Sequence, residues 1–150
     1  MPDDPVARLE NTHRRMGDEL TALEVAAHAG DRQGLDMALD FFASAAKRHH
    51  EDEEASLFPR LREDPGLVPL LDGLAADHRA HEEARREIEG LLRGSGDVQA
   101  VAASVARFVD MVRAHIEKED VELLPAAERM LDARTREVVA EEMRGRRRAR

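Results

Sequence analysis

The chain has no cysteine, no tryptophan and no tyrosine. Without thiols, neither a disulfide framework nor a thiolate metal site is available, so any metal must be held by histidine and carboxylate. Phenylalanine supplies all of the 3% aromatic content, which leaves no Tyr or Trp for base stacking, radical storage or electron relay. No apolar run reaches the roughly 18 residues of a membrane span, and the opening MPDDPVARLENTH is acidic and polar, unlike a signal peptide. These absences point to a soluble cytoplasmic protein with no membrane partner. Positive charge is also short: 23 Lys and Arg against 32 Asp and Glu give a net charge of −9, which argues against nucleic acid as a partner. The exception is the tail RGRRRAR, Arg144 to Arg150. We read it as a solvated terminus, with docking of an acidic partner as the alternative.

What is present is mostly Ala, Leu, Glu and Arg, which are strong helix formers. Turn signals are few: HAGDRQG at 28–34, EDPG at 63–66, RGSGD at 93–97 and a weaker MLDAR at 130–134. They divide the chain into helical segments of about Asp4–Ala29, Gln33–Glu63, Leu67–Leu92 and Asp97–Met130, with Asp97 as an N-cap, and a shorter fifth of about Ala133–Arg144. No segment alternates with period two, so the predicted fold is all-α. Long helices with short connections predict an up-down antiparallel four-helix bundle over residues 4–130, with a short C-terminal fifth helix and Arg-rich tail over 131–150.

The second half echoes the first. Placing FFASAAKRHHEDEEASLFP (41–59) over RFVDMVRAHIEKEDVELLP (107–125) at an offset of 66 pairs Phe42 with Phe108, His49 with His115, Glu53 with Glu119, Leu57 with Leu123 and Pro59 with Pro125. The first and third segments match more weakly at an offset of 68, where His13, Leu20 and Leu23 meet His81, Ile88 and Leu91. Each half therefore carries one histidine on one helix and a His-x-x-x-Glu on the next.

Residues at i and i+4 share a helix face, so His49 with Glu53 and His115 with Glu119 point at common spots, the geometry a metal pair inside a bundle requires. One such pair is weak evidence, because Glu is 18 of 150 residues and His50/Glu54 and His78/Glu82 fit the same spacing. Recurrence in register carries the signal. His28, beside a turn and without a counterpart, reads as a surface residue, and Glu51, Asp52, Glu54, Glu117 and Glu122 read as a solvated face. Leu57 and Phe58 read as core beneath the site, and Pro59 and Pro125 as points where each ligand helix bends or ends.

A histidine on helix 1, HHxxEExxLFP on helix 2, a histidine on helix 3 and HIxxEDxxLLP on helix 4 resemble the hemerythrin-like, or HHE cation-binding, domain over about residues 4–130. The resemblance implies two non-haem iron ions with a bridging oxo or hydroxo group, ligated by His13, His49, Glu53, His81, His115 and Glu119. Two departures matter. Hemerythrins carry HxxxH on the third helix, whereas His78 and His81 stand three apart, so His78 is a further candidate. They also place Asp five residues after the fourth-helix histidine, where Asp120 stands; we prefer Glu119 because it matches Glu53. His50 is a third additional candidate, though its neighbour position points roughly 100° from His49. Imidazole and carboxylate also suit Mn and Zn, so iron comes from the resemblance alone.

Coordination arithmetic then frames function. Four histidines, two bridging carboxylates and one bridging oxygen fill about ten of about twelve positions on two six-coordinate ions. A small ligand has room. The leading expectation is a binding protein for dioxygen or nitric oxide, used in sensing, storage or carriage. The alternatives are a redox-active di-iron enzyme that decomposes peroxide or oxidises ferrous iron, and a metal-stabilised interaction module.

Overall fold

The computed structural model describes residues 4–94 and 96–149, and every regular element among them is helical. Helix α1 (Pro5–Ala29) starts where the Asp4 carboxylate accepts the Val6 N–H and ends at Gly30, whose φ of 67° is left-handed. Its inner stripe is Val6, Leu9, His13, Met16, Leu20 and Leu23. Helix α5 (Val68–Arg93) follows a 3-10 turn at Pro65–Leu67. The Asp97 carboxylate caps α6 (Val98–Lys118), accepting from the N–H groups of Gln99 and Ala100 as the sequence predicts. Helix α1 packs along α2 (Arg32–Ala43) and α6, and α5 along α6.

The second predicted segment is not one continuous helix. Helix α2 (Arg32–Ala43) gives way at Ser44, whose hydroxyl donates back to the Asp40 carbonyl at 2.7 Å, and α3 (Ala45–Asp52) begins on a new course. A π-turn, Glu53–Leu57, then leads into α4 (Phe58–Leu61). The fourth segment repeats this: α6, a π-turn at Glu119–Leu123, and α7 (Leu124–Met130). The prolines explain both turns. Pro59 and Pro125 lack the N–H that would bond the carbonyl four residues back, and their rings would crowd it. The wide i→i+5 turn absorbs that misfit, closed by Phe58 N–H on the Glu53 carbonyl and Leu124 N–H on the Glu119 carbonyl. Each helix therefore continues past its proline, and each π-turn opens on the glutamate of a His-x-x-x-Glu pair.

Two apolar clusters flank the layer that holds the histidines. One joins Met16, Leu20, Leu23, Phe42, Ile88 and Phe108; the other gathers Leu9, Leu57, Phe58, Leu74, Leu123 and Met143. The second is closed by α8 (Ala133–Arg148), longer than predicted, which buries Val139, Ala140 and Met143. Burial of this kind is worth about 1.5–3 kcal/mol per large side chain.

Within the Arg-rich tail, Arg146 and Arg147 are engaged rather than solvated, Arg144 and Arg148 pair with Glu141 at the surface, and Arg150 lies outside the described residues. Arg146 Nε donates to Asp52 Oδ1 at 2.9 Å, and Arg147 Nη2 to Asp52 Oδ2 at 2.8 Å. Asp52, expected on a solvated face, is 1% exposed. One helical turn away, Ser56 donates to Glu142 at 2.6 Å and Arg60 pairs with the same carboxylate at 2.9 Å. No helix among the described residues is long and apolar enough to cross a membrane.

Candidate metal centre

Between the two apolar clusters, α1, α3, α5 and α6 each turn a histidine toward the glutamates that begin the π-turns. His49 Nε2 lies 3.2 Å from Glu53 Oε2, and His78 Nε2 lies 3.0 Å from Glu53 Oε1. His13 Nε2 lies 2.9 Å from Glu119 Oε1, and His115 Nε2 lies 3.2 Å from Glu119 Oε2. Two four-residue groups result, His13–His49–Glu53–Glu119 and Glu53–His78–His115–Glu119, with the ligand atoms of each within 4.8 Å of one another. All six residues are buried. Each carboxylate turns one oxygen toward each half-site, the disposition that lets it bridge two cations.

Buried polar atoms are normally hydrogen-bonded. Here His49 Nε2, His78 Nε2, His115 Nε2, both Glu53 oxygens and Glu119 Oε2 are buried without a hydrogen-bond partner. Six orphaned atoms aimed at two shared points, all borderline or hard donors, fit the binding of cations. Three imidazoles are oriented from behind by carboxylates on their Nδ1 side: His13 by Asp120 at 2.7 Å, His78 by Glu54 at 2.6 Å and His115 by Asp77 at 3.0 Å.

Electrostatics agrees with this arrangement. Burial works against a charged ring at His49, but Glu53 and Glu119 outweigh it and hold its pKa up at about 10. His13 and His115 are likewise raised, against their own burial, chiefly by Glu119. Burial opposes the charge on Glu119, yet the adjoining rings of His115, His13 and His49 keep its carboxyl well below the usual range. Protons and metal ions compete for the same ring nitrogens, so cation binding releases protons.

Residues 4–127 match the family model described as the hemerythrin HHE cation binding domain. The chain belongs to that family. No curated protein matches it.

Within this HHE domain the structure brings together His13, His49, Glu53, His115 and Glu119, as the repeat predicts, and adds His78. His81, the expected third-helix ligand, lies outside both groups. The reason is one of register. His13 reaches Glu119 and Asp120 on the opposite half, and His78 reaches Glu53 and Glu54 in the same way. Helices α1 and α5 therefore correspond at an offset of 65, which pairs Leu9 with Leu74, His13 with His78, and Met16 with His81. Asp120 is the partner of His13 Nδ1 rather than a member of either group, and Glu54, expected on a solvated face, does the same for His78. His50 lies outside the groups and stacks on His78 with ring centroids 3.9 Å apart. His28 is exposed, as expected. Asp77 was not singled out by sequence; its adjacency to His78 was the only signal, and its corresponding residue, Thr12, carries no charge.

Proposed function

We propose that this HHE domain, an up-down four-helix bundle closed by α8, holds two iron ions through His13, His49, Glu53, His78, His115 and Glu119, and binds a diatomic gas, dioxygen or nitric oxide. The observation that carries the reading is the pair of half-sites, each with two imidazoles, sharing two carboxylates whose oxygens diverge to opposite sides. Four protein donors per half-site leave about two positions open on a six-coordinate ion. Bound iron supplies those open positions and the electrons a diatomic ligand draws on. The protein's own part is to fix the donors: Asp120, Glu54 and Asp77 hold the ring tautomers, and the apolar clusters above and below keep bulk water out.

One observation favours a second reading, peroxide decomposition. The two half-sites are equal in histidine count, so iron held in either would keep room for a ligand and could supply the redox chemistry that peroxide needs. The deciding experiment is iron analysis followed by oxygen cycling. Two irons per chain and a spectrum that returns on removing oxygen support gas carriage or sensing. Irreversible oxidation with rapid peroxide loss supports the enzyme, and manganese or zinc in place of iron, in cells supplied with all three, overturns the iron assignment.

A further inference from the structure

The duplication that builds the centre is broken on one side. Across the pseudo-twofold relation, Met16 corresponds to His81 and Ile116 to His50. Two positions that are apolar beside the first half-site are thus imidazoles beside the second. Neither is a ligand in the groups above, yet His81 is 5% exposed with no partner for Nδ1, and His50 Nε2 is buried with none either. Such atoms are costly unless something supplies a hydrogen bond.

Both rings line a cavity of about 300 Å³ between α3 with its π-turn and α5. Its floor is apolar, formed by Met16, Phe42, Phe108 and Val112, and His78 of the second half-site forms part of its wall. At the mouth stand Lys47, Arg79 and Arg85 against Glu51, Glu54 and Glu82, three charges of each sign. A rim so balanced steers neither anions nor cations. A dry cavity of about 150 Å³ already accepts benzene, so this volume exceeds what a diatomic gas needs and suits an aromatic ring with a substituent. A neutral imidazole offers one donor and one acceptor, the complement of a hydroxyl.

We propose that this cavity is a binding site for a small, uncharged molecule combining an apolar ring or chain with one hydroxyl group, held by the imidazoles of His50 and His81 against the second half-site. It adds an organic ligand to the reading above and rests on that reading only for its proximity to iron. The cavity itself is formed by protein groups.

The probes are phenol, anisole, which has the same ring but no donor, and benzoate, which is charged. Binding is followed by ligand-observed NMR and calorimetry on the full chain, iron-loaded and as isolated without added iron. Phenol should bind at one per chain with a dissociation constant of about 1 mM or tighter, and anisole and benzoate about tenfold more weakly. His81→Met and His50→Ile, the residues of the opposite half, should each bring phenol close to anisole's affinity with iron content unchanged. Ala55→Trp, at an exposed position on the mouth, should block phenol even if the histidine variants fold poorly. In iron-loaded protein, phenol but not benzoate should shift the iron absorption bands. Equal affinity for phenol and anisole, tight benzoate binding, undiminished binding in Ala55→Trp, or no saturable binding because the cavity holds only water, would each overturn the proposal. Phenol binding without iron uptake would sink the di-iron reading and leave this one standing; iron uptake without phenol binding would do the reverse.

Discussion

Replacing Arg146 and Arg147 together by alanine tests how α8 is held to α3 and its π-turn. Asp52 is 1% exposed and takes charge-assisted hydrogen bonds from both guanidinium groups, at 2.9 and 2.8 Å. Removing the partners of a buried charge costs about 3–5 kcal/mol when nothing can replace them. Here the arginine side chains are 23% and 35% exposed, so water reaches the vacated space, and the cost falls to about 2–3 kcal/mol. For a chain of this size that lowers the thermal midpoint by about 4–12 °C. Asp52→Asn should cost less, because the trapped charge disappears while the arginines rehydrate. Arg148→Ala, whose partner Glu141 is on the surface, should leave the midpoint in place. Thermal unfolding followed by circular dichroism, with denaturant melts of the same variants, gives all three numbers. A double-arginine variant within about 0.5 kcal/mol of wild type, or an Asp52→Asn variant that is the more damaged, would refute the reasoning and return the tail to solvent.

The centre itself yields further expectations. Glu53→Ala or His78→Ala should reduce bound metal to below one ion per chain by elemental analysis, while His81→Ala keeps two; loss in His81→Ala with retention in His78→Ala would restore the register read from sequence. Asp77→Asn should weaken metal retention about 10–100-fold in chelator competition, because Asp77 orients His115 from behind at 3.0 Å. The pH dependence of the metal-free protein has a defined sign. His49 is raised from 6.5 to about 10, so its contribution to stability is full below pH 6.5 and is lost as pH rises through about 10. Glu119 is depressed, so its contribution is present above about 4.5 and is lost as pH falls. Burial holds His50 and His81 neutral, so their contribution is present above pH 6.5 and is lost as pH falls below it. Urea melts should therefore place the metal-free maximum at about pH 6.5, and a midpoint that climbs from pH 7 to pH 10 would contradict the pairing of His49 with the two carboxylates.

Much of this was legible in the sequence because helices 2 and 4 constrain their own alignment. Two prolines, two His-x-x-x-Glu pairs and two Leu-x-Pro endings allow a single offset of 66, and that offset delivered His49, Glu53, His115 and Glu119. The π-turns were not legible, since hydrophobic periodicity barely registers one wide turn. Proline one residue beyond an apolar pair was their trace, read as a helix end because a π-turn's accommodation of the missing N–H is a backbone response. Asp52 is hidden in the sequence for a different reason. It sits in a run of acids, and only the approach of Arg146 and Arg147 from 94 and 95 residues away distinguishes it from its solvated neighbours.

The choice between His78 and His81 turns on helical geometry itself. Offsets of 65 and 68 differ by three residues, close to one helical turn of about 3.6 residues, so both keep the apolar stripe of α1 over that of α5. Leu20 and Leu23 over Ile88 and Leu91 support one; Leu9 and Leu23 over Leu74 and Ile88 support the other. Apolar pattern cannot separate them, because shifting a helix by a turn preserves its face. Polar pairing separates them at once: the acid after each shared glutamate, Glu54 or Asp120, must reach a ring nitrogen on the partner helix, and only His78 and His13 stand in equivalent places to receive it. Fixing that register is also what exposes the asymmetry, since under the offset of 68 His81 is merely His13's counterpart. Under the offset of 65 it is an imidazole standing where the other half keeps a methionine. The residue that sequence assigned to the metal is, in the fold, the one left facing the cavity.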